Sequence, residues 1–330
     1  MECVTPAMAA LTLELGVKTD PIEYRYSFGW LFDLMAQEGV WNVQVGTFFE
    51  IYHLPDHWFT SLAEQARRRG LRIRSVFTAH RELGGFYRSD PCWHAVARRN
   101  YERLIEVGAL LGAESVGSNP GAVMRDAMDG KGAGIRRYLE HMKELMHFAH
   151  DRGVSRLTLE PMSCAAEPPA LPGEIRSMCQ ELVAYHRDHA GSTAGVGLCA
   201  DVSHGYADEE GAVVHTHLEL LEAALPYTTE VHLKNTDATF GSTFGFTEPE
   251  RARGIVDVRV VRELLRRRER ELPVHQLVGY LEIGGPKTGR DYSDRLLEEQ
   301  LRGSLRHLRA TWSDGEGVRS DESLCSARHW

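Results

Sequence analysis

Nothing in this chain offers a route across a membrane. No segment approaches a run of about 18 apolar residues, and the N-terminus lacks a basic stretch followed by a long apolar one. These absences argue against secretion and membrane insertion and predict a cytoplasmic protein. Paired cysteines are missing too: Cys3, Cys92, Cys164, Cys179, Cys199 and Cys325 are scattered without a C-x-x-C, so they read as reduced thiols rather than as staples. Positive charge is in short supply. The 38 Lys and Arg against 47 Asp and Glu leave a net charge of −9, which disfavours nucleic acid and anionic lipid as partners. The arginine runs Arg67-Arg68-Arg69 and Arg266-Arg267-Arg268 stand at predicted helix ends, where cations complement the helix dipole. No Gly-Lys-Ser/Thr phosphate loop occurs. The Gly284-Gly285-Pro286-Lys287-Thr288-Gly289-Arg290 segment is equally a plain turn, so phosphorylated and free substrates both stay open.

What is present is a strict alternation. With 330 residues, 42% hydrophobic and 26% charged, the chain has room for one large barrel or two smaller domains. Strand patterns begin near residues 11, 41, 71, 114, 156, 197, 229 and 279. Amphipathic helices are predicted over 28–39, 55–70, 92–111, 135–152, 174–189, 213–224, 258–270 and 292–308. Eight strands alternating with eight helices predict a single-domain α/β fold, a (β/α)₈ TIM barrel over residues 1–310. The remaining 311–330 read as a polar, disordered tail.

Four of the strands share a design. Arg156-Leu157-Thr158-Leu159-Glu160, Gly197-Leu198-Cys199-Ala200-Asp201, Thr229-Glu230-Val231-His232 and Gly279-Tyr280-Leu281-Glu282 each carry an apolar run to one metal-ligating side chain. The separations of 41, 31 and 50 residues match successive strand, helix and return units. Ionised carboxylates at the ends of buried strands are costly unless something cationic offsets them. Three carboxylates and one imidazole, from Glu160, Asp201, His232 and Glu282, make a hard, oxygen-rich site suited to Mn²⁺, Mg²⁺ or Co²⁺. Such a site can grip adjacent oxygens of a polyol or hydroxyketone and stabilise an enediolate. Glu160 and Glu282 are the pair placed to exchange the proton as acid and base, leaving Asp201 and His232 mainly to hold metal.

Further candidates flank this set. His80 follows strand three, where active-site loops lie in this fold, as a substrate ligand or a structural histidine. Asn119 ends strand four in a tight turn and could reach a sugar hydroxyl. Lys234 shares a strand face with His232, against the plainer reading that it pairs with Asp237. The glycine-rich aromatic run 240–246 reads as a substrate lid. His141, His147 and His150 lie on one helix and are read as a solvated face.

The Leu159-Glu160-Pro161, Ala200-Asp201-Val202-Ser203-His204-Gly205, Val231-His232-Leu233-Lys234 and Leu281-Glu282-Ile283-Gly284 segments resemble the xylose isomerase-like TIM barrels grouped as sugar phosphate isomerases and epimerases. Among these, ketose 3-epimerases of the tagatose and allulose (psicose) type look most similar. The resemblance implies a sugar isomerase or epimerase with Glu160, Asp201, His232 and Glu282 as metal ligands, Mn²⁺ as the expected ion, and the two glutamates exchanging the substrate proton. It also implies His204 and Arg253 as substrate-binding residues, and a homo-oligomer. The interval from His232 to Glu282 is longer than the small epimerases suggest.

Rival readings follow from the same ligands. A lyase of this fold, such as an inosose dehydratase or a 3-oxo-C-glycoside deglycosidase with a small partner subunit, starts from the same enolate but expels a leaving group. An endonuclease IV-like enzyme needs more histidines and a basic face. A non-catalytic sugar-binding barrel has no need of two buried acids flanking a metal.

Overall fold

A computed structural model of the chain describes residues 10–46 and 48–314. Period-two alternation sets the architecture. In β1 (Thr12–Lys18), Gly16 lies so close to the Tyr280 ring that an added Cβ would sit 2.5 Å from a ring carbon. The face carrying Glu14, Gly16 and Lys18 therefore points into the barrel, and buried Leu13, Leu15 and Val17 point outward to the helices. Seven more strands repeat the arrangement: β2 (Asn42–Val45), β3 (Arg72–Thr78), β4 (Ser115–Ser118), β5 (Arg156–Leu159), β6 (Gly195–Asp201), β7 (Thr228–Leu233) and β8 (Gln276–Leu281). All pair in parallel and close as β1-β8-β7-β6-β5-β4-β3-β2. The seam is the β1–β8 ladder, running from Thr12 opposite Gln276 to Val17 opposite Leu281. This is the TIM barrel that the alternation predicts.

Helices α1 (Phe28–Gln37), α2 (Asp56–Arg68), α3 (Pro91–Leu111), α4 (Lys131–Asp151), α5 (Pro172–Asp188), α6 (His217–Ala224), α7 (Val258–Arg267) and α8 (Leu297–Thr311) surround it. Several start where a side chain satisfies a free backbone N–H. Ser27 accepts from Trp30, Asp90 from Cys92 and Asp257 from Arg259, while Thr216 and Glu219 form a capping box. One expected helix is shorter than its pattern. Residues 206–207 and 213–215 form a small antiparallel hairpin before α6, because the Asp208–Gly211 turn, with Gly211 at φ +80°, folds the chain back first.

Two fastenings hold the last helix. Glu38, buried just after α1, accepts from Arg302 at 2.8 Å and Arg306 at 2.9 Å. Burial opposes its ionisation, but the two guanidiniums outweigh it and hold the carboxyl below the usual range. Its stabilisation is therefore present above the ordinary glutamate pKa and lost as pH falls through the depressed folded value. Arg306 donates through two nitrogens but is largely exposed, whereas Arg302 donates once from a more buried position. Glu38→Gln is expected to lower the unfolding free energy by about 2 kcal/mol in urea at neutral pH. The gap from the unaltered protein should narrow toward pH ~3; a constant gap would show that the ion pairs contribute nothing.

The second fastening lies beyond α8. Trp312 is fully buried, its indole N–H donates to the Glu14 carbonyl at 2.7 Å, and the Asp314 carboxylate accepts from the Leu13 N–H at 2.7 Å. The packed chain thus reaches Asp314, and the polar segment from 315 to 330 lies outside the described residues.

Candidate active site

The four strand-end groups converge. Glu160 directly follows β5, Asp201 ends β6, His232 lies within β7 and Glu282 directly follows β8. One ligand atom from each lies within 4.8 Å of the others. His232 is fully buried, with its Nδ1 2.8 Å from Glu160 Oε1 and 3.2 Å from Glu282 Oε2. Its Nε2 stands 2.8 Å from Gln44 Oε1, whose amide nitrogen donates to Ser75 Oγ at 3.1 Å. That network assigns a proton to Nε2 and turns Nδ1 toward the carboxylates, the orientation a ligating imidazole needs. The Phe77 ring meets the imidazole edge-on with centroids 4.8 Å apart.

The two glutamates have different surroundings. Glu160 accepts from the Asn119 side-chain amide, a neutral donor that also stands 2.9 Å from Met162 Sδ. Glu282 lies between two ammonium groups: Lys18 donates to Oε1 at 2.6 Å and Lys234 to Oε2 at 3.0 Å. Burial opposes the charge on Glu282, but His232, Lys18 and Lys234 together hold its carboxyl well below the usual range. Lys18 also donates to Asp20 at 2.7 Å. Lys234 stands 2.6 Å from Asp201 Oδ2. Burial disfavours charge on both lysines, yet the facing carboxylates keep both pKa values above the ordinary lysine range.

His204 and Asp201 complete the cluster. Asp201 Oδ1 accepts from the Ser203 N–H and hydroxyl, both at 2.8 Å. Its Oδ2 is buried and accepts no aligned hydrogen bond, only the ion pairs with Lys234 and with His204 Nε2 at 3.3 Å. His204 Nδ1 lies 2.7 Å from the Pro161 carbonyl. Burial opposes ionisation of Asp201, and His204 and Lys234 outweigh it, leaving its carboxyl below the usual range. A poorly satisfied carboxylate oxygen, a preset imidazole nitrogen and two more carboxylates fit a hard divalent cation.

The other expectations divide. Asn119, Lys234 and His204 are in the cluster. Lys234 does not pair with Asp237, which instead closes its own turn through Ser242 and the Gly241 N–H and is held down to about 2. Arg253 ends a short helix (Glu248–Arg253), is exposed, and lies 4.1 Å from the Phe244 ring centroid. Among the described residues no hydrogen bond or ion pair joins it to the cluster. His80 opens a 3-10 turn two residues after the end of β3, and its side chain is outside the description. Of the expected lid, Phe246 is fully buried against His307 and Phe244 is buried in a backbone bridge to Asn235. Only Phe240 approaches the site, over Gly205. Lys18 and Gln44 were not foreseen. Lys18 lies two residues beyond Gly16 on the inward face, so following the alternation past Leu15 would have exposed it.

A parallel eight-stranded barrel whose last four strands present Glu, Asp, His and Glu at one mouth defines a class of barrel enzyme scaffolds. The chain belongs to the xylose isomerase-like TIM barrel family, whose model matches residues 32–274. No curated protein matches it in sequence. Among solved structures, a Rhodospirillum rubrum protein provisionally named a xylose isomerase is 18% identical, with 91% of this chain and 99% of that one covered at a TM-score of 0.74. A D-psicose 3-epimerase from Clostridium cellulolyticum is 15% identical, with 90% and 99% covered at 0.64. A probable 3-DHS dehydratase from Bacillus anthracis is 12% identical, with 89% and 98% covered at 0.61. At these identities the likeness is one of fold. Among the described residues no helix is long and apolar enough to cross a membrane.

Proposed function

We propose that the protein is a divalent-metal-dependent sugar isomerase or epimerase that moves a proton on a carbon beside a carbonyl. The observation that carries this reading is the approach of two carboxylates, Glu160 and Glu282, to one buried imidazole from strands β5 and β8. Glu160, Asp201, His232 and Glu282 would hold the cation, Mn²⁺ first among the hard candidates, and the bound ion would polarise the substrate carbonyl and offset developing negative charge. The protein groups do the rest. Glu160, hydrogen-bonded to a neutral amide, would take the proton, and Glu282, which approaches the same His232 nitrogen from β8, would return one. Lys18 and Lys234 orient Glu282, while His204 and Asn119 stand beside the acids where substrate hydroxyls would bind. Burial of the cluster excludes water from this exchange.

Two measurements test it. Adding Mn²⁺ to chelator-treated protein at about 100 times its dissociation constant is expected to stabilise it by ~2.7 kcal/mol, a rise of several degrees in melting temperature. Asp201→Asn should remove most of that rise; no response to Mn²⁺, Mg²⁺ or Co²⁺ would mean that the acids hold no ion. Incubation of the Mn²⁺-loaded protein in D₂O with ketoses, aldoses and 3-oxo-glycosides should place deuterium in a recovered or isomerised sugar. Release of water or an aglycone instead would move the assignment to a lyase, the reading favoured by the dehydratase of the same fold.

A further inference from the structure

A cavity of about 200 Å³ opens beyond the ends of β1 and β2, at the mouth of the barrel that holds the carboxylate cluster, and its wall reaches Thr19, the chain neighbour of Lys18. Its interior is walled by Ile22, Phe28, Phe48, Leu54 and Trp58. Phe28, Phe48 and Trp58 form a closed triangle of aromatic rings with centroids 5.8 to 5.9 Å apart, at edge-on or tilted angles. Such packing makes a preformed wall rather than a collapsible one. A cavity of roughly 150 Å³ lined by apolar groups accommodates benzene, so this one has room for a single six-membered ring.

The cavity and the cluster share their framework. Thr19, part of the cavity wall, lies between Lys18, which grips Glu282, and Asp20, which grips Lys18. The Thr19 N–H donates to the Gln44 carbonyl at 3.0 Å, and the Gln44 side chain positions His232. A group lodged in the cavity is therefore held by the strand ends that align the acids.

The rim adds a sign. Glu23 and Glu50 line it, and Tyr24, largely exposed and in the left-handed region at φ +55°, donates its hydroxyl to Glu50 Oε1 at 2.9 Å. A bulky residue held at positive φ is uncommon, and such conformations concentrate at ligand sites. Two carboxylates at the opening disfavour phosphate or carboxylate groups and accept hydrogen bonds from hydroxyls.

From the apolar ring-sized interior, the acidic rim and the shared wall, we infer that the cavity is a subsite for an uncharged aryl group joined to the sugar, so that the substrate is an aryl-substituted sugar rather than a phosphorylated one. This inference rests on the proposed sugar chemistry for the identity of the attached part, and on the cavity alone for the aryl part. A second pyranose ring fits less well, because most of its hydroxyls would face the aromatic and aliphatic walls, with polar groups offered only by Thr19, the tyrosines and the two carboxylates.

The test reads binding without chemistry. Fluorine NMR of para-fluorophenol added to the full-length protein is expected to show saturable binding. That affinity should fall roughly tenfold or more when the cavity is filled in Ile22→Trp or loses an aromatic wall in Trp58→Ala. Trp58 is only half-buried, so its variant keeps the test valid if the core substitution at Ile22 fails to fold. Phenyl β-glucoside should displace the probe, and methyl β-glucoside should not. Unsaturable binding, equal binding in both variants, or equal displacement by the two glucosides would overturn the aryl subsite. Deuterium exchange with no probe binding would sink this inference and leave the isomerase reading standing. Probe binding without exchange on any sugar, aryl-substituted ones included, would do the reverse.

Discussion

Glu160→Gln is expected to abolish deuterium incorporation, with a loss of about 10³-fold or more, while the protein keeps its fold. The amide keeps the shape of the carboxylate and can still face Asn119, but it cannot take a proton from carbon. Glu282→Gln should be as damaging to exchange and should differ in a second readout. It removes the shared partner of Lys18 and Lys234, which then retain only Asp20 and Asp201 within this cluster. Leaving two buried ammonium groups with fewer partners is destabilising, so Glu282→Gln should also lower the urea midpoint more than Glu160→Gln does. Residual exchange in Glu160→Gln within tenfold of the unaltered protein would remove Glu160 from the role of base.

Trp312→Ala is expected to cost about 3–5 kcal/mol, the range for emptying a large aromatic from a core. The side chain is fully buried, its indole N–H satisfies the Glu14 carbonyl, and the ring packs where Gly279 has no side chain. Its loss would leave a void behind the β1–β8 seam and remove one of the donors to the Glu14 carbonyl. Urea unfolding checks it; a loss under 1 kcal/mol would show that the segment after α8 only rests on the barrel.

That tryptophan also marks where reading the chain falls short. Residues 313–323 are polar and without period, so Trp312 reads as part of a disordered tail from 311 onward, whereas it is fully buried. The cluster itself was legible because each of its four members ends or nearly ends a strand of apolar neighbours, and four such ends in successive units have few explanations other than a shared site. Lys18 and Gln44 escaped because neither breaks a pattern. A lysine after Gly16-Val17 reads as the end of a strand, and only the closure of β1 against β8 turns it toward Glu282. Phe244 and Phe246 misled in the opposite direction. Aromatic residues among glycines suggest a mobile cover, yet the Asn235–Phe244 bridge and the Ser304 hydroxyl, which accepts from the Phe246 N–H at 2.9 Å, bind the run into the wall. The ring-lined cavity is assembled from the segments after β1 and β2 and the first turns of α1 and α2, and hydropathy alone does not show that Phe28, Phe48 and Trp58 meet there.

The Lys18–Glu282 ion pair joins residues 264 positions apart, across the seam where the first strand meets the last. Lys18 ends β1 and Glu282 directly follows β8, so this contact requires the first and last strands to have met. A nascent or partly folded chain carrying β1 to β7 can already bring Glu160, Asp201 and His232 onto neighbouring strands, but Glu282 arrives only with β8. Two acids facing one histidine are thus assembled only when the sheet becomes a ring. On the proposed chemistry, closing the ring is therefore what completes the pair of acids, and an unfinished barrel would lack one of them.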